Sequence, residues 1–151
     1  MFDDPVSKIM RKRKLLTAVP GTSVGRAAMR MAARNVGAIL VVEEDRLLGI
    51  LTERDIVFRV VCKGLDPRTT PISAVMTPDP ITVDPDRPLG YALVVMHREG
   101  FRHLPVVKDS KVVGIVSARS ALDPELEEFA SETNRREHFA GMAAKEKGRA
   151  A

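Results

Sequence analysis

The chain has 151 residues, of which 44% are hydrophobic and 29% are charged, and this composition excludes a chain that is disordered throughout. Its formal net charge is +4, and its only cysteine, Cys62, cannot form a disulfide within the chain, which excludes a disulfide scaffold. No export signal is visible and no apolar run approaches the roughly 20 residues that span a bilayer, so we expect a cytoplasmic protein without membrane contact.

The N-terminal part of the chain is its most basic part. Residues 1–34 contain eight Lys or Arg but only two Asp. Such a segment attracts phosphate groups, which makes weak nucleic-acid binding one interpretation. The whole chain has only five Phe, one Tyr and no Trp, so the aromatic platform of single-strand binders is missing. We therefore keep nucleic acid as an alternative and do not expect it as the partner.

An internal repeat organises the chain. The segment GILTER at residues 49–54 recurs as GIVSAR 65 positions later. Residues 17–55 superpose on residues 82–120 at the same displacement without a gap, with ten identical pairs. A lead-in of the form apolar-Ser-x-x-Met precedes each copy, at residues 6–10 and 72–76. We interpret the chain as a duplication.

Both copies predict the same order of elements. A short extended piece comes after the lead-in. Apolar residues spaced i, i+3, i+4 and i+7 then predict a helix that ends at Asn35 in the first copy and at Gly100 in the second, two residue types that favour a left-handed C-cap. Two β-rich runs follow, joined by a polar turn, and a second helix begins at Thr52 or Ser117. Each unit is therefore strand, helix, strand, strand, helix.

The duplication divides the chain into two repeats, residues 6–63 and 72–122, joined by a linker at 64–71. Residues 123–151 predict a C-terminal helix that frays into a charged tail. A unit of about 50 residues buries so little core that it would be only marginally stable by itself. We therefore expect an α/β fold of the α+β type, in which two pseudo-symmetric repeats pack face to face.

These motifs together resemble the tandem CBS domains, the cystathionine-β-synthase-type repeats that form a Bateman module. The resemblance covers residue 6 to about residue 122. It rests on the two lead-ins, on ITVDP at 81–85, on GFRHLPVV at 100–107 and above all on GILTERD at 49–55. Because the motifs come in order and twice, the resemblance is specific. We expect the stand-alone two-repeat type, because 151 residues leave no length for an attached enzyme or transporter domain.

The resemblance implies a ligand site, because adenine nucleotides in that family lie in the clefts between paired repeats. On the first repeat, Asp55 would accept hydrogen bonds from the ribose hydroxyls, and Thr52 would bond the ribose or a phosphate. Ile50 belongs to the same motif and to the same predicted site. A carboxylate that holds two vicinal hydroxyls selects a ribose, and charge-assisted bonds of this kind contribute about 1.5–3 kcal/mol each.

The other wall of that cleft would come from the second repeat. The resemblance places Pro80 and Ile81 against the adenine, and Arg102 and His103 at the phosphates. An arginine fork on phosphate oxygens is the expected chemical pairing. The implied ligand is AMP, ADP or ATP, with NAD or S-adenosylmethionine as alternatives, and we expect neither a metal site nor a catalytic cofactor.

The opposite cleft lacks these anchors. When the motif of the first copy is aligned with the second copy, Ser120 takes the position of the ribose-binding aspartate. Gly37 and Ala38 stand where Arg102 and His103 stand in the first cleft. We therefore expect one competent cleft and one weak or empty cleft per chain.

The same residues also allow an interpretation without a ligand. Thr52 and Asp55 have the spacing of a capping box, in which the threonine caps backbone amides and the acid bonds back. The second copy has Ser120 in place of the acid, so capping alone does not require an aspartate. For Arg102 and His103, the alternative interpretation is that they are a pair of solvated loop residues and do not contact phosphate.

The sequence favours regulation over catalysis. No nucleophile with a base, paired acids, metal cluster or phosphate loop stands out, so we expect no enzyme activity. The first hypothesis is a sensor of adenine nucleotides that acts on a separate, unidentified partner protein. The alternatives are a nucleotide-free interaction or scaffold module and a weak nucleic-acid binder that uses the basic N-terminal end.

We also expect a homodimer. Modules that this chain resembles pair their apolar helix faces, and a two-fold axis is the commonest closed symmetry. The faces expected to pair belong to the long helix of each copy. They are Val24, Ala28 and Met31 in the first copy and Leu89, Leu93 and Met96 in the second.

Overall fold

The computed structural model of the chain describes residues 2–10 and 15–122. The basic run at 11–14 and the predicted C-terminal helix and tail at 123–151 lie outside the described residues. Within the described part, strands and helices form two similar repeats that pack together, which confirms the predicted α+β class. No helix of that part has the length and apolar character needed to cross a bilayer.

The first repeat follows the predicted order of elements. A π-helical segment, Ile56–Val61, continues its last helix and places the second half of that helix against the core through Val60. The elements in chain order are α1 (Val6–Ile9), β1 (Thr17–Ala18), α2 (Val24–Arg34), β2 (Ala38–Glu43), β3 (Arg46–Thr52) and α3 (Glu53–Asp55).

The second repeat has the same order, with a weaker first strand. That strand is reduced to one parallel bridge, between Val83 and Val106. A 3-10 turn at Ile72–Ala74 opens the repeat. The remaining elements are β4 (Thr77–Pro78), α4 (Leu89–Glu99), β5 (His103–Lys108), β6 (Lys111–Ser117) and α5 (Ala118–Leu122).

The strand pairing repeats the duplication at the level of the backbone. In the first repeat β1 pairs in parallel with β2, and β2 pairs antiparallel with β3. In the second repeat β5 pairs antiparallel with β6. The β2–β3 register shifts between Val41 and Val42, and the β5–β6 register shifts between Val106 and Val107, again 65 positions later.

Both predicted helix ends are confirmed. Asn35 closes α2 with φ 49°, and Gly100 closes α4 with φ 73°, so both C-caps lie in the left-handed region. At the start of α2 the Ser23 hydroxyl accepts the Arg26 N–H at 3.3 Å, which satisfies one of the free amides of the first turn.

Each lead-in packs in the core of the other repeat. Ile72 and Val75 are buried with the side chains of the first repeat. Val6 and Met10 are buried with the side chains of the second repeat. The division along the sequence groups each lead-in with the repeat that follows it, whereas in space the lead-ins cross. Each small core is thus completed by residues that precede the opposite repeat, and this ties the two repeats together.

Gly49 makes room for the crossing segment, which is the second lead-in together with β4 (residues 72–78). β4 comes directly after the second lead-in and pairs antiparallel with β3, with Gly49 opposite Pro78. A Cβ atom on Gly49 would collide with the Met76 Sδ atom and would lie 2.9 Å from the Thr77 carbonyl oxygen. Only glycine permits this approach, so the crossing depends on the same GILTERD motif that carries the predicted ligand residues.

The helix faces that we expected to form a homodimer are in large part buried within the chain itself. Val24 and Met31 of α2 are buried in the core of the first repeat, and Leu89 and Met96 of α4 are buried in the core of the second. Ala28 and Leu93 are half-buried. The reason is that each amphipathic stripe covers the sheet of its own repeat, so only the half-buried Ala28 and Leu93 of these faces remain accessible to a second chain.

Candidate functional site

A cavity of about 270 Å³ lies between the two repeats. Its walls come from the end of β3 with α3, from the segment that follows β4, and from the start of β5. The structure brings all seven residues of the predicted ligand site together in the lining of this cavity. They are Ile50, Thr52, Asp55, Pro80, Ile81, Arg102 and His103.

Strand pairing builds the apolar side of the cavity. β3 and β4 place Ile50 opposite Thr77. The chain then turns at Asp79, which has φ 45° and whose N–H donates to a β3 carbonyl at 3.0 Å. The turn leads directly into Pro80 and Ile81. Because 46% of the Ile81 side chain is exposed although it lines a cavity, this wall offers an uncovered apolar surface.

The basic side of the cavity lies at the start of β5. Arg102 immediately precedes that strand and is exposed, while His103 is its first residue and is half-buried. The Arg102 carbonyl accepts the Ala118 N–H at 2.8 Å, which fixes the backbone of this turn. The first repeat has the same bond between the Gly37 carbonyl and the Glu53 N–H, at 3.0 Å. The pseudo-symmetric bond therefore fixes the backbone at Arg102, and Arg102 lines this edge of the cavity.

The capping box at the start of α3 is present in full. The Thr52 N–H donates to Asp55 Oδ2 at 2.9 Å, and the Asp55 N–H donates to Thr52 Oγ1 at 3.3 Å. The Thr52 hydroxyl also donates to Asp55 Oδ2, at 3.0 Å. The interpretation of these two residues as a cap is thus confirmed. It is compatible with a ligand role only for the atoms that the cap leaves available.

The second carboxylate oxygen of Asp55 keeps accepting capacity. A carboxylate has about four acceptor positions, and the capping box uses two of them, both on Oδ2. Oδ1 lies 3.6 Å from the Nε atom of Arg59, an ion pair that is longer than a hydrogen bond. The Asp55 side chain is only 13% exposed and lines the cavity. Asp55 thus lines the cavity with accepting capacity left on Oδ1.

Thr52 is more restricted than the sequence indicates. Its hydroxyl proton is directed to the Asp55 carboxylate, which can only accept. An ionised phosphate also only accepts, so Thr52 cannot donate to a phosphate unless the bond to Asp55 breaks. Its remaining lone pair can accept from a ribose hydroxyl. Of the two contacts that the resemblance implied for Thr52, the ribose contact is the one that preserves the cap.

The cavity also has lining residues that the sequence did not indicate. Their signal was weak, because most of them come from the crossing segment or flank the predicted residues. Arg54 is one example, and its guanidinium lies 5.2 Å from the centroid of the Phe58 ring. The additional lining residues are Glu53, Arg54, Thr77, Asp79, Gly100, Phe101 and Pro105.

Part of the opposite cleft lies outside the described residues. At the displacement of 65, the sequence counterpart of Asp79 there is Lys14, which lies outside the described residues, and that of Pro80 is Leu15. The counterpart of Arg102 is Gly37, which has no side chain to offer a phosphate. The expectation of a weak or empty second cleft therefore stays a prediction. Elsewhere, among residues 2–10 and 15–122, no group of three or more His, Cys, Asp or Glu side chains could hold a metal ion.

Comparison with known proteins identifies the family. The model of the CBS domain matches residues 6–61 and 72–124. The chain belongs to the CBS domain family. The CBS domain-containing protein CBSCBSPB2 of Arabidopsis thaliana is 43% identical over 116 residues, 76% of this chain, but the chain spans only 22% of that relative's length. The CBS domain-containing protein YhcV of Bacillus subtilis is 38% identical over 69% of this chain and 74% of its own length.

Solved CBS structures confirm the fold. An uncharacterised conserved protein from Pyrococcus horikoshii superposes with a TM-score of 0.76 and 32% identity, over 82% of this chain and 93% of that one. The CBS domain protein PAE2072 from Pyrobaculum aerophilum, complexed with AMP, has a TM-score of 0.71 and 26% identity over 78% and 89%. The CBS domain pair of MJ0100, in complex with methylthioadenosine and S-adenosylmethionine, has a TM-score of 0.70 and 28% identity over 78% and 91%.

Proposed function

We propose that this CBS pair binds an adenine nucleotide in the cavity between its repeats and thereby regulates a separate partner protein. The observation that carries the proposal is the convergence on one cavity of seven predicted residues, six from three separate motifs and Pro80 directly before one of them. AMP and S-adenosylmethionine in the complexes of PAE2072 and MJ0100 support an adenine-containing ligand. The proposed role is regulatory and not catalytic.

The chemistry of the walls suits the three parts of a nucleotide. Ile81 is an uncovered apolar surface that an adenine ring would bury. Asp55 Oδ1 is an acceptor for a ribose hydroxyl, with Thr52 Oγ1 as a second acceptor. Arg102 and His103 are the donors for phosphate oxygens.

The size of the cavity favours a nucleoside held inside with its phosphates at the rim. Ligand pockets commonly measure about 300–1,000 Å³, so about 270 Å³ is just below that range. Arg102 is exposed, which is consistent with a position at the opening. We propose AMP, ADP or ATP as the ligand, with NAD and S-adenosylmethionine as alternatives that share the adenosine part.

Thermal unfolding of the purified protein with and without ligand tests this function. A ligand at 100 times its dissociation constant stabilises the folded state by about 2.7 kcal/mol, which raises Tm by several degrees at this size. AMP, ATP, NAD and S-adenosylmethionine are the ligands to compare, with GMP as the control for the base. A Tm unmoved by every adenine compound at millimolar concentration contradicts the proposal and favours a nucleotide-free interaction module. If an adenine compound does raise Tm, calorimetry should return one bound nucleotide per chain.

Replacing Arg102 with alanine should weaken the binding of ATP more than that of adenosine. Because the side chain is exposed, we expect a loss of about two- to fivefold for ATP and almost none for adenosine. The loss should shrink as salt rises, since screening weakens the wild-type contact first. Calorimetry with adenosine, AMP and ATP measures the effect. Arg98→Ala, an exposed arginine of α4 outside the cavity lining, is the matched control. Equal losses for adenosine and ATP would show that Arg102 does not contact phosphate.

We also propose that the chain forms a homodimer through a different surface from the one the sequence indicated. Three apolar side chains of the π-helical segment, Val57, Phe58 and Val61, are 49%, 52% and 68% exposed. A two-fold axis would bury this patch against its own copy. Sedimentation equilibrium at tens of micromolar tests the assembly, and a monomer at that concentration contradicts it.

A further inference from the structure

Arg59 connects two walls of the cavity although it does not line the cavity itself. It lies one turn after Asp55, in the π-helical segment. Its Nε atom is 3.6 Å from Asp55 Oδ1. Its Nη1 atom donates to the carbonyl oxygens of Val75 and Met76, at 3.2 and 3.1 Å. One guanidinium therefore contacts the carboxylate of the site and the backbone of the crossing segment together.

The two carbonyls are significant because of where they lie in the chain. Val75 ends the 3-10 turn Ile72–Ala74, and the last carbonyls of a helical turn have no partner within it. Met76 directly precedes β4, and β4 leads through the turn at Asp79 into the apolar wall. Arg59 thus holds the segment that sets the position of that wall relative to Asp55.

Arg59 lies in a segment with π-helical hydrogen bonding. The Cys62 N–H donates to the Val57 carbonyl at 2.9 Å, a bond that spans five residues instead of four. Such segments are rare and commonly lie at functional sites. An arginine suits the task because its planar fork offers several donors in fixed directions, whereas a lysine offers one charged group.

We propose that Arg59 is a positioning residue of the ligand site: it orients the Asp55 carboxylate towards the ribose and fixes the crossing segment that carries the opposite wall. The ligand part of this inference rests on the proposed function. The clamp on the crossing segment exists without ligand and is measurable without it.

Hydrogen exchange of the ligand-free protein tests the clamp. In Arg59→Met, the amides of the non-proline residues between 75 and 82 should exchange at least about threefold faster, because the two carbonyl contacts are lost. Arg59→Lys should restore part of the protection. Arg68→Met is the matched control, since Arg68 also pairs with an aspartate, Asp66, at 3.0 Å, but the pair is exposed and lies in the linker. The side-chain hydrogen bond from Arg68 lowers the pKa of Asp66, so this control removes a genuine ion pair.

The ribose preference tests the orientation of Asp55. The experiment compares AMP with 2′-deoxy-AMP and with 3′-deoxy-AMP. The ratio of each deoxy compound's dissociation constant to that of AMP reports the contact made by the missing hydroxyl. In the wild type we expect at least one of the two deoxy compounds to bind about tenfold or more weakly than AMP. Arg59→Met should reduce that ratio to about threefold or less, and Arg68→Met should leave it unchanged. A purely structural role would weaken AMP and both deoxy compounds equally.

The outcomes separate this inference from the proposed function. An unchanged ribose ratio in Arg59→Met, with AMP still bound by the wild type, overturns the orienting role. Unchanged exchange at residues 75–82 overturns the clamp. If the wild type binds neither AMP nor its deoxy analogues, the proposed function and the orienting role fail together, while the exchange experiment still decides the clamp.

Discussion

Asp55→Ala is expected to weaken AMP binding about 10- to 150-fold. The physical reason is the loss of a charge-assisted hydrogen bond from the ribose to Oδ1, the carboxylate oxygen that the capping box leaves available. Such a bond contributes about 1.5–3 kcal/mol, which corresponds to that range of affinity. Isothermal calorimetry on the wild type and the variant measures the change. Asp55→Asn keeps an acceptor oxygen for the cap but removes the charge. We therefore expect its affinity for AMP to lie between that of the wild type and that of the alanine variant.

The capping role of Asp55 requires its own control. Removing the cap of a helix costs about 0.5–2 kcal/mol of stability, so Asp55→Ala should also lower Tm. Ser23→Ala removes a cap of α2 at a position outside the cavity lining and should lower Tm without changing affinity. If Asp55→Ala behaves like Ser23→Ala, with a lower Tm and intact AMP binding, the carboxylate serves only the helix.

Local features of the fold were predictable from the sequence because they depend on neighbouring residues. The polar turns between the paired strands illustrate this. Glu44 and Asp45 have φ 48° and 65°, and Asp109 and Ser110, one repeat later, have φ 49° and 63°. Two successive residues of positive φ match the right-handed twist of a hairpin, and short polar side chains are the ones that tolerate this region best. Composition and spacing therefore sufficed for the hairpins and for the helix ends.

The crossing of the lead-ins was not predictable from the same patterns. Each lead-in is a short apolar piece with no periodicity that would select its partner. Val6 fits an apolar core in either repeat, and only the three-dimensional path of the chain decides which. The burial of four of the six predicted dimer residues was missed for a related reason, since the spacing of Val24 and Met31 marks an amphipathic helix but does not say what covers it.

The predicted site residues are brought together by the structure because their motifs carry the geometry with them. Gly49 admits the crossing strand, and the same motif ends in Asp55. Arg59 was missed because an arginine four residues after an aspartate is an ordinary surface pair on a helix, worth a few tenths of a kcal/mol. Its contacts with Val75 and Met76 come from a segment 16 and 17 residues away, and no spacing rule connects them.

Ile72→Ala should destabilise the protein by about 2–5 kcal/mol. Ile72 is fully buried, and its side chain packs in the core of the first repeat although the residue belongs to the lead-in of the second. Truncating a buried isoleucine removes its transfer free energy and leaves a cavity that the surroundings fill only in part. Tm should fall by on the order of 10 °C, measured by calorimetry or circular dichroism. Ser73→Ala is the control, because Ser73 is the next residue, is exposed, and should change stability by less than about 0.5 kcal/mol.

Hydrogen exchange shows which repeat Ile72 stabilises. Because Ile72 packs with Ile39, Val41 and Leu51, the variant should lose amide protection first in β2 and β3. The strands β5 and β6 follow Ile72 in the sequence, yet their core is closed by Val6 and Met10 and should keep its protection longer. Loss of protection in β5 and β6 before β2 and β3 would contradict the crossing. Each lead-in would then stabilise the repeat that follows it. The crossing of the lead-ins would not link the two halves of the cavity.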